Sequence, residues 1–136
     1  SVSAVTRLTD MGIEPYLVAG SLLGVVAQRL VRRVCPHCRE KFDTTGVVRK
    51  NGVKHAWRGR GCEACGGTGY KGRFGLYEQF DVTPEIQEAI ARGAQPHELR
   101  ELARKGGFST LLELGLKAVK DGETTPEEML RVVGEV

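Results

Sequence analysis

The sequence predicts an α+β protein with a helical opening segment, a small β-rich module that carries all the cysteines, and a helical C-terminal tail. Three observations predict this class. Apolar residues near the amino end recur at helical spacing. Two C-x2-C pairs lie mid-chain, the second in a glycine-dense stretch. After residue 82, two Thr-Pro-Glu sequences begin segments of helical character. The predicted boundaries are residues 1–34, 35–80 and 81–136.

The composition is that of a soluble globular protein. The 136 residues suit one ordinary domain, with 40% hydrophobic and 27% charged residues. The formal net charge of +3 is too small to imply a nucleic-acid partner by itself. The longest apolar run, residues 16–27, is too short to span a bilayer, so no membrane insertion is predicted. The opening SVSAVTRLTDMG has no starting Met and no signal peptide, so we expect an excised fragment.

The opening segment is predicted to form two helices. The first covers residues 3–11, and Gly12 ends it. The second opens at Pro15, because helices accept proline in the first turn, and its apolar positions continue to Val26. The basic residues 29–34 predict either the end of that helix or an edge strand that leads into the first cysteine.

The middle of the chain has weaker signals. Residues 42–60 show little periodicity, apart from a predicted turn at Asn51-Gly52. The glycine-dense residues 59–75 predict loops and tight turns, and the alternating, aromatic-rich residues 73–82 predict a strand.

The tail is predicted to be a series of short helices. Thr83 and Thr125 each precede Pro and Glu, which matches an N-cap, a proline at the first helical position and an acidic first turn. Two further helices are predicted around residues 96–105 and 109–121, each followed by glycine.

The cysteines have the spacing of a four-sulfur metal site. They are Cys35, Cys38, Cys62 and Cys65, with 23 residues between the pairs. A two-residue gap lets a tight turn aim two thiolates at one point, and two such turns supply a tetrahedron. Pro36 bends the first turn, while Gly66 and Gly67 leave room for backbone N–H groups near the sulfurs. We predict structural zinc, since four thiolates leave no position open for a catalytic water.

Other roles for these residues fit less well. Disulfides are disfavoured because no secretory signal is present. The C-P-H-C sequence of the first pair resembles a periplasmic oxidoreductase dithiol, but no clear amphipathic helix follows it. Iron in the same site has the same geometry as zinc, so that alternative stays open. His37, His55 and His97 are predicted not to be ligands, because the cysteines complete the site.

Two known classes of protein that contain such cysteine turns are less consistent with the chain. A nucleic-acid-binding ribbon would explain the basic residues near the cysteines, and Trp57, Tyr70 and Phe74 could stack on bases, but so small a module needs its aromatics for its core. No nucleic-acid partner is therefore predicted. Residues 62–69 fit the C-x-x-C-x-G-x-G repeat of Hsp40 co-chaperones, but that family carries four repeats and the first cysteine pair lacks the glycines. The basic residues near the cysteines, which a nucleic-acid-binding ribbon would explain, are Arg29, Arg32, Arg33, Lys41, Arg49, Lys50, Lys54, Arg58, Arg60, Lys71 and Arg73.

Four separated blocks, residues 4–15, 21–35, 68–78 and 122–132, occur in the order found in one family. They resemble, in turn, the stretch after the histidine box, the segment leading into the tetracysteine insert, the exit from that insert, and the final helix. The family is that of the type II secretion and type IV pilus assembly ATPases. DMGIEP and SLLGVVAQRLVRR favour the secretion branch, and the pilus branch remains open.

This resemblance implies a remnant of a RecA-like ATPase core in residues 1–34, a zinc module in 35–80 and a helical subdomain in 81–136. It implies that the parent protein is a hexameric cytoplasmic ATPase at the bacterial inner membrane, with ATP and magnesium as cofactors. Neighbouring subunits of the ring and platform components of the inner membrane are the implied partners. We expect the zinc module to act as a rigid arm that couples ATP-driven motion to one of them.

The chain itself is predicted not to be an enzyme. It has no phosphate-binding loop G-x-x-x-x-G-K-[ST], and the family's acidic and histidine boxes would lie before Ser1, so no catalytic or ATP-binding residue is predicted. Arg7, Arg29, Arg32 and Arg33 could reach phosphates or a neighbouring subunit, but solvated or ion-paired arginine beside a core helix is the simpler interpretation.

Overall fold

The structure, a computed structural model, describes residues 1–134. Within that range it contains both helices and strands, which confirms the predicted α+β class. The helices are α1 (Val2–Asp10), α2 (Pro15–Ser21), α3 (Gly46–Lys50), α4 (Pro84–Ala91), α5 (Pro96–Lys105), α6 (Leu111–Lys120) and α7 (Pro126–Val133). The strands are β1 (Gly24–Val34), β2 (Arg39–Asp43), β3 (His55–Gly59) and β4 (Tyr70–Asp81), and a short 3-10 helix covers Glu63–Cys65.

The chain divides into two compact units, each built from two stretches of sequence. Unit 1 comprises Ser1–Ala27 and Glu78–Ser109, and unit 2 comprises Gln28–Tyr77 and Thr110–Val136. The helical tail therefore contributes α4 and α5 to unit 1, and α6 and α7 to unit 2. The three predicted segment boundaries stay predictions, because packing does not report which part of a chain forms a functional module.

Unit 1 packs its helices on one apolar cluster. Helices α1, α2, α4 and α5 all contribute buried residues, and Phe80 of β4 is fully buried among them. The ring of Phe108 meets that of Phe80 edge-on, with the ring centroids 6.1 Å apart. Val5 of α1 and Leu99 of α5 face this cluster, as expected for amphipathic helices. Apolar burial is therefore the main stabilising contribution in this unit.

Unit 2 is organised around a hairpin and two helices. Strands β2 and β3 pair antiparallel, with Arg39 opposite Gly59 and Asp43 opposite His55. Helix α3 and the predicted Asn51-Gly52 turn connect the two strands. The hairpin shares an apolar cluster with α6 and α7, in which Met129 is fully buried.

Helices α6 and α7 cross closely because a glycine lies at their contact. A Cβ atom at Gly115 would lie 2.6 Å from Cγ of Met129. Any larger residue at this position would push the two helices apart.

Most predicted helices are confirmed. Helix α1 lies one residue before the predicted range 3–11, and α5 and the two helices that start after Thr83 and Thr125 begin where the sequence placed them. The capping prediction is also confirmed, since the side chains of Thr83 and Thr125 accept hydrogen bonds from the third residue of their helices. Thr110, for which no cap was predicted, caps α6 in the same way. The strand predicted over residues 73–82 is β4, which begins three residues earlier.

One prediction about this part of the chain is wrong. The second helix does not continue to Val26 but ends at Ser21, and Gly24 begins strand β1. Glycine and the β-branched Val25 and Val26 weaken the helix, and pairing with β4 decides in favour of the strand. The weakly periodic residues 42–60 contain α3 and β3, whose apolar residues are too few to show a period.

No helix within residues 1–134 is both long enough and apolar enough to cross a membrane.

Candidate metal centre

The four cysteines lie at the ends of regular elements in unit 2. Cys35 directly follows β1, and Cys38 directly precedes β2, so Pro36-His37 form the turn between two strands. Cys62 caps the 3-10 helix Glu63–Cys65, which places Cys65 one turn further on. The predicted geometry of two tight turns, each holding two sulfurs, is present.

The structure brings all four sulfur atoms together. They lie within 4.8 Å of one another. The Sγ atoms of Cys35 and Cys62 are 3.8 Å apart, those of Cys38 and Cys65 3.9 Å, and those of Cys62 and Cys65 3.7 Å. Tetrahedral zinc bound by four thiolates has sulfur–sulfur separations of about 3.8 Å, given Zn–S bonds of about 2.3 Å. The cluster could therefore hold one metal ion.

Backbone N–H groups point at the sulfurs, but not those we expected. Cys65 Sγ accepts hydrogen bonds from the backbone N–H groups of Cys62 and Gly69, each at 3.2 Å. Those of Gly66 and Gly67 donate instead to backbone carbonyl oxygens, and both glycines have positive φ. They shape the knuckle, because only glycine adopts that conformation without strain.

Two thiols of the cluster have opposite pKa shifts. Burial raises the pKa of Cys38 to about 12, and a backbone hydrogen bond from Gly61 offsets only part of that rise. Burial also disfavours the thiolate of Cys65, but hydrogen bonds from Cys62 and Gly69 outweigh it and lower the pKa of Cys65 to about 6. Since metals bind thiolates, binding by all four cysteines would release protons.

The histidines are apart from the cluster. His37 is exposed in the first turn, and His97 is exposed on α5 of unit 1. The Nδ1 atom of His55 lies 2.8 Å from Oδ1 of Asp43, and its side chain is 54% exposed. The sulfur cluster contains none of them.

A pair of glycines lets the second cysteine turn approach the hairpin. A Cβ atom at Gly59 would lie 2.3 Å from the carbonyl oxygen of Gly69, and one at Gly69 would lie 2.6 Å from that of Gly59. The same Gly69 carbonyl accepts a hydrogen bond from the backbone N–H of Cys35 at 2.8 Å. The two backbones can touch only without side chains, and this contact joins the two cysteine pairs.

A buried carboxylate joins β1 to α7. Glu128 is 1% exposed and accepts hydrogen bonds from the backbone N–H and Nη2 of Arg32, at 2.8 and 3.0 Å. It also accepts from Nε and Nη2 of Arg131, at 2.8 and 2.9 Å. The hydrogen bond from Arg131 lowers the pKa of Glu128, burial raises it, and the hydrogen bonds from Arg32 lower it again. The result is a pKa of about 2. This charged group fixes the end of the strand that leads into Cys35.

Further hydrogen bonds hold the tail beside the cysteine turns. Thr124 Oγ1 donates to the carbonyl of Arg32 at 2.8 Å, and the N–H of Val34 donates to the carbonyl of Glu123 at 2.9 Å. The hydroxyl oxygens of Tyr70 and Thr125 lie 2.6 Å apart. The tail of unit 2 therefore packs against the module that carries the cysteines.

Four aromatic rings of unit 2 are covered by arginines of the same unit. The sequence had suggested that Trp57, Tyr70 and Phe74 could stack on bases, but guanidinium groups already lie over these rings. The pairs are Arg32 with Tyr70, Arg33 with Phe74, Arg39 with Trp57 and Arg58 with Phe42, at 4.1, 4.7, 4.5 and 4.5 Å.

Comparison of the chain with known protein sequences shows the family to which it belongs. The family described as "Type II/IV secretion system protein" matches residues 1–131. The chain belongs to that family. The resemblance of the four sequence blocks is thereby confirmed.

Relatives from both branches of the family match almost the whole chain. The type II secretion system protein HxcR of Pseudomonas aeruginosa is 48% identical over 97% of this chain. The type IV pilus assembly ATPase PilB of Thermus thermophilus is 44% identical over 96%, and the type II secretion system ATPase E of Vibrio cholerae is 40% identical over 99%. The chain spans 26%, 16% and 28% of the lengths of these relatives, respectively.

Sequence reasoning missed two residues that shape the centre. Glu128 follows Thr125 at the spacing of a capping box, so its acidic side chain looked like an ordinary first-turn residue. Gly69 looked like one glycine among many. No signal in the sequence shows that either residue meets a partner more than 30 positions away.

Proposed function

We propose that this chain is the C-terminal region of a type II secretion ATPase, and that its four cysteines hold a structural zinc ion. The observation that carries the proposal is the cluster of four sulfurs, all within 4.8 Å of one another, inside a chain that matches the secretion family over residues 1–131. Zinc, when bound, would cross-link the two cysteine turns and leave no position open for water.

In this proposal the metal module acts as a mechanical arm of the parent protein. The hairpin, the cysteine turns, α6 and α7 form one compact unit, and Glu128 ties the strand before Cys35 to the last helix. Such a unit can transmit force as a body, because its polar ties and metal ligands resist local unfolding. Its partners would be neighbouring subunits of a hexameric ring or a platform component of the inner membrane, with the protein on the cytoplasmic side.

The proposal assigns ATP hydrolysis to parts of the parent protein other than this chain. No G-x-x-x-x-G-K-[ST] loop occurs in the 136 residues. We expect the isolated chain to release no phosphate from ATP above background. Steady-state phosphate release comparable to that of the full-length protein would contradict this assignment.

The experiment that tests the arm uses the full-length protein in its own host. Cys62→Ser with Cys65→Ser should remove zinc and abolish secretion, because the second turn loses both ligands. His37→Ala, an exposed change between two other cysteines, is the matched control and should keep both. Zinc content is measured by mass spectrometry and secretion by the exported protein in the medium. Normal secretion without zinc would show that the arm is dispensable.

Pilus assembly is the second candidate, favoured by the 44% identity to the Thermus protein. The same host answers this question. Deletion of the gene should block export of secreted proteins and leave surface pili intact if the secretion branch is right, and the reverse result would assign the chain to pilus assembly.

A further inference from the structure

The basic residues of the chain are concentrated in its middle. Residues 28–77 carry twelve Lys and Arg against three Asp and Glu, whereas the rest of the chain carries eight against fourteen. Some of these cations have partners within unit 2, such as Arg32 with Glu128 and Arg60 with Glu40. Several others lie over aromatic rings or donate to backbone carbonyls, such as Arg39, which does both. The lysines have neither kind of contact among the residues that the structure describes, so they are the cations best placed to act on something outside the chain.

Three lysines without a partner meet at one cavity of unit 2. A cavity of about 390 Å³ lies beside the hairpin and is lined by Lys41, Lys54 and Lys120, together with His55 and Trp57. Among residues 1–134 no hydrogen bond or ion pair involves the ammonium groups of these three lysines, and no carboxylate lines the cavity. We call this cavity the lysine groove.

Three separate elements build the lysine groove. Lys41 lies directly opposite Trp57 in the β2–β3 pair, and His55 is two residues along the same face. Lys54 immediately precedes β3, and Lys120 is the last residue of α6. Three positive charges from separate elements line one cavity, which suits an anion with several oxygens better than a single carboxylate.

The walls of the groove offer further donors. His55 is oriented by the contact between its Nδ1 and Asp43 at 2.8 Å, and its Nε2 has no hydrogen-bond partner among the residues that the structure describes. Trp57 is half-buried, and its indole N–H has no acceptor among residues 1–134. The guanidinium of Arg39 lies 4.5 Å from the centre of the Trp57 ring and adds positive charge nearby. The side chains that line the groove include three cations and no carboxylate, so the groove favours negative charge.

We propose that the lysine groove binds a phosphate ester, the chemistry that a phospholipid headgroup shares with a soluble phosphate ester. A volume of about 390 Å³ holds a phosphate together with its organic substituent. Lysine binds phosphate as a point charge, and the face of Trp57 provides an apolar surface for the carbon part. This inference goes beyond the proposed secretion function and does not depend on it.

Trp57 is the single tryptophan of the chain, so its fluorescence reports on the groove directly. The purified 136-residue chain is titrated with glycerol 3-phosphate at constant ionic strength. It is then mixed with phosphatidylcholine vesicles, with or without phosphatidylglycerol, and the bound fraction is measured by flotation. We expect a saturable change in Trp57 fluorescence and binding only to the anionic vesicles.

The groove variant is Lys41→Ala with Lys54→Ala and Lys120→Ala. The control variant, Lys50→Ala with Lys71→Ala and Lys105→Ala, removes the same charge from exposed positions that do not line the cavity. We expect affinity to fall by about ten-fold or more in the groove variant, from the loss of three charged contacts, and to change little in the control. If the groove variant melts at a lower temperature, the exposed single change Lys54→Ala replaces it.

Each result is decisive. Selective loss with both probes supports the proposal with a lipid as the source, and selective loss with glycerol 3-phosphate alone supports it with a soluble ester as the source. Equal loss in the two variants would show diffuse charge attraction and overturn the proposal, as would no saturable change at all. Tighter, groove-dependent binding of an oligonucleotide would overturn it in favour of a nucleic-acid interface.

Discussion

The two compact units are stabilised in different ways. Unit 1 has one apolar cluster of ten buried residues that surrounds Phe80. The part of unit 2 that the structure describes divides its apolar residues between two smaller clusters, with five and three buried residues, and adds four thiols and the buried carboxylate of Glu128. A unit with one larger core can fold by apolar burial, whereas one with divided cores depends on specific polar and metal contacts. The same destabilising change should therefore affect the two units differently.

Removal of the metal should give the largest difference in stability between the two units. We expect a chelator, or Cys62→Ser with Cys65→Ser, to unfold the cysteine turns and the hairpin, since structural zinc sites contribute on the order of 10 kcal/mol of binding free energy. Helices α4 and α5 should keep their structure. Amide hydrogen exchange measures both regions in one sample.

The control for metal removal is His37→Ala, which should leave exchange unchanged throughout. Equal loss of protection in α5 and in β2 would show that the two units share one cooperative transition, and the comparison would fail.

Truncation of a core residue tests whether apolar burial stabilises unit 1. Phe80→Ala should destabilise unit 1 by about 4 kcal/mol, because it removes a fully buried ring and leaves a cavity. The zinc content should stay the same. Denaturant unfolding gives the free energy, and Leu23→Ala, an apolar residue that is 89% exposed, is the control with an expected effect near zero.

Substitution of the buried carboxylate should give the next largest loss of stability. Glu128→Gln should destabilise unit 2 by about 2–3 kcal/mol, since it removes the charge that Arg32 and Arg131 share. Both arginines are partly exposed, so solvent screening keeps the loss below that of a fully buried pair. Denaturant unfolding of Glu127→Gln, an exposed neighbour on the same helix, should show little change.

Glu128 also predicts a pH dependence. Its pKa is lowered from 4.5 to about 2, so the unfolded chain binds the proton more readily. The stabilisation is fully present above about pH 4.5 and is lost as the pH falls toward 2. The stability difference between the wild type and Glu128→Gln should therefore shrink over that range in acid denaturation. A constant difference would show that the charge is not the source of the effect.

The smallest effect compares one helix cap in each unit. Thr83 and Thr125 both cap their helices, but only Thr125 is buried and also meets Tyr70. Thr125→Val should cost about 1 kcal/mol more than Thr83→Val, because it breaks a second, partly buried hydrogen bond. Thermal unfolding of both variants measures the difference. Equal losses would mean that the Tyr70 contact contributes nothing to stability.

Local sequence signals predicted one class of feature well. The helix after Thr83 and that after Thr125 begin at their predicted caps, since capping depends on residues within one turn. The cysteine spacing predicted the two turns for the same reason. The helix predicted to continue to Val26 failed because pairing with β4, a partner about 50 residues away in the sequence, outweighs local propensity.

What the sequence alone determined is therefore the set of short-range features: the four cysteines as one cluster, the helix starts of the tail, and, through the order of its blocks, the family. Only the tertiary structure decided which backbone N–H groups reach the sulfurs, that Glu128 is buried under two arginines, and that three distant lysines line one cavity. The physical reason is range. A turn or a cap is fixed by neighbours a few residues away, whereas burial and charge clustering depend on where the whole chain brings its segments together.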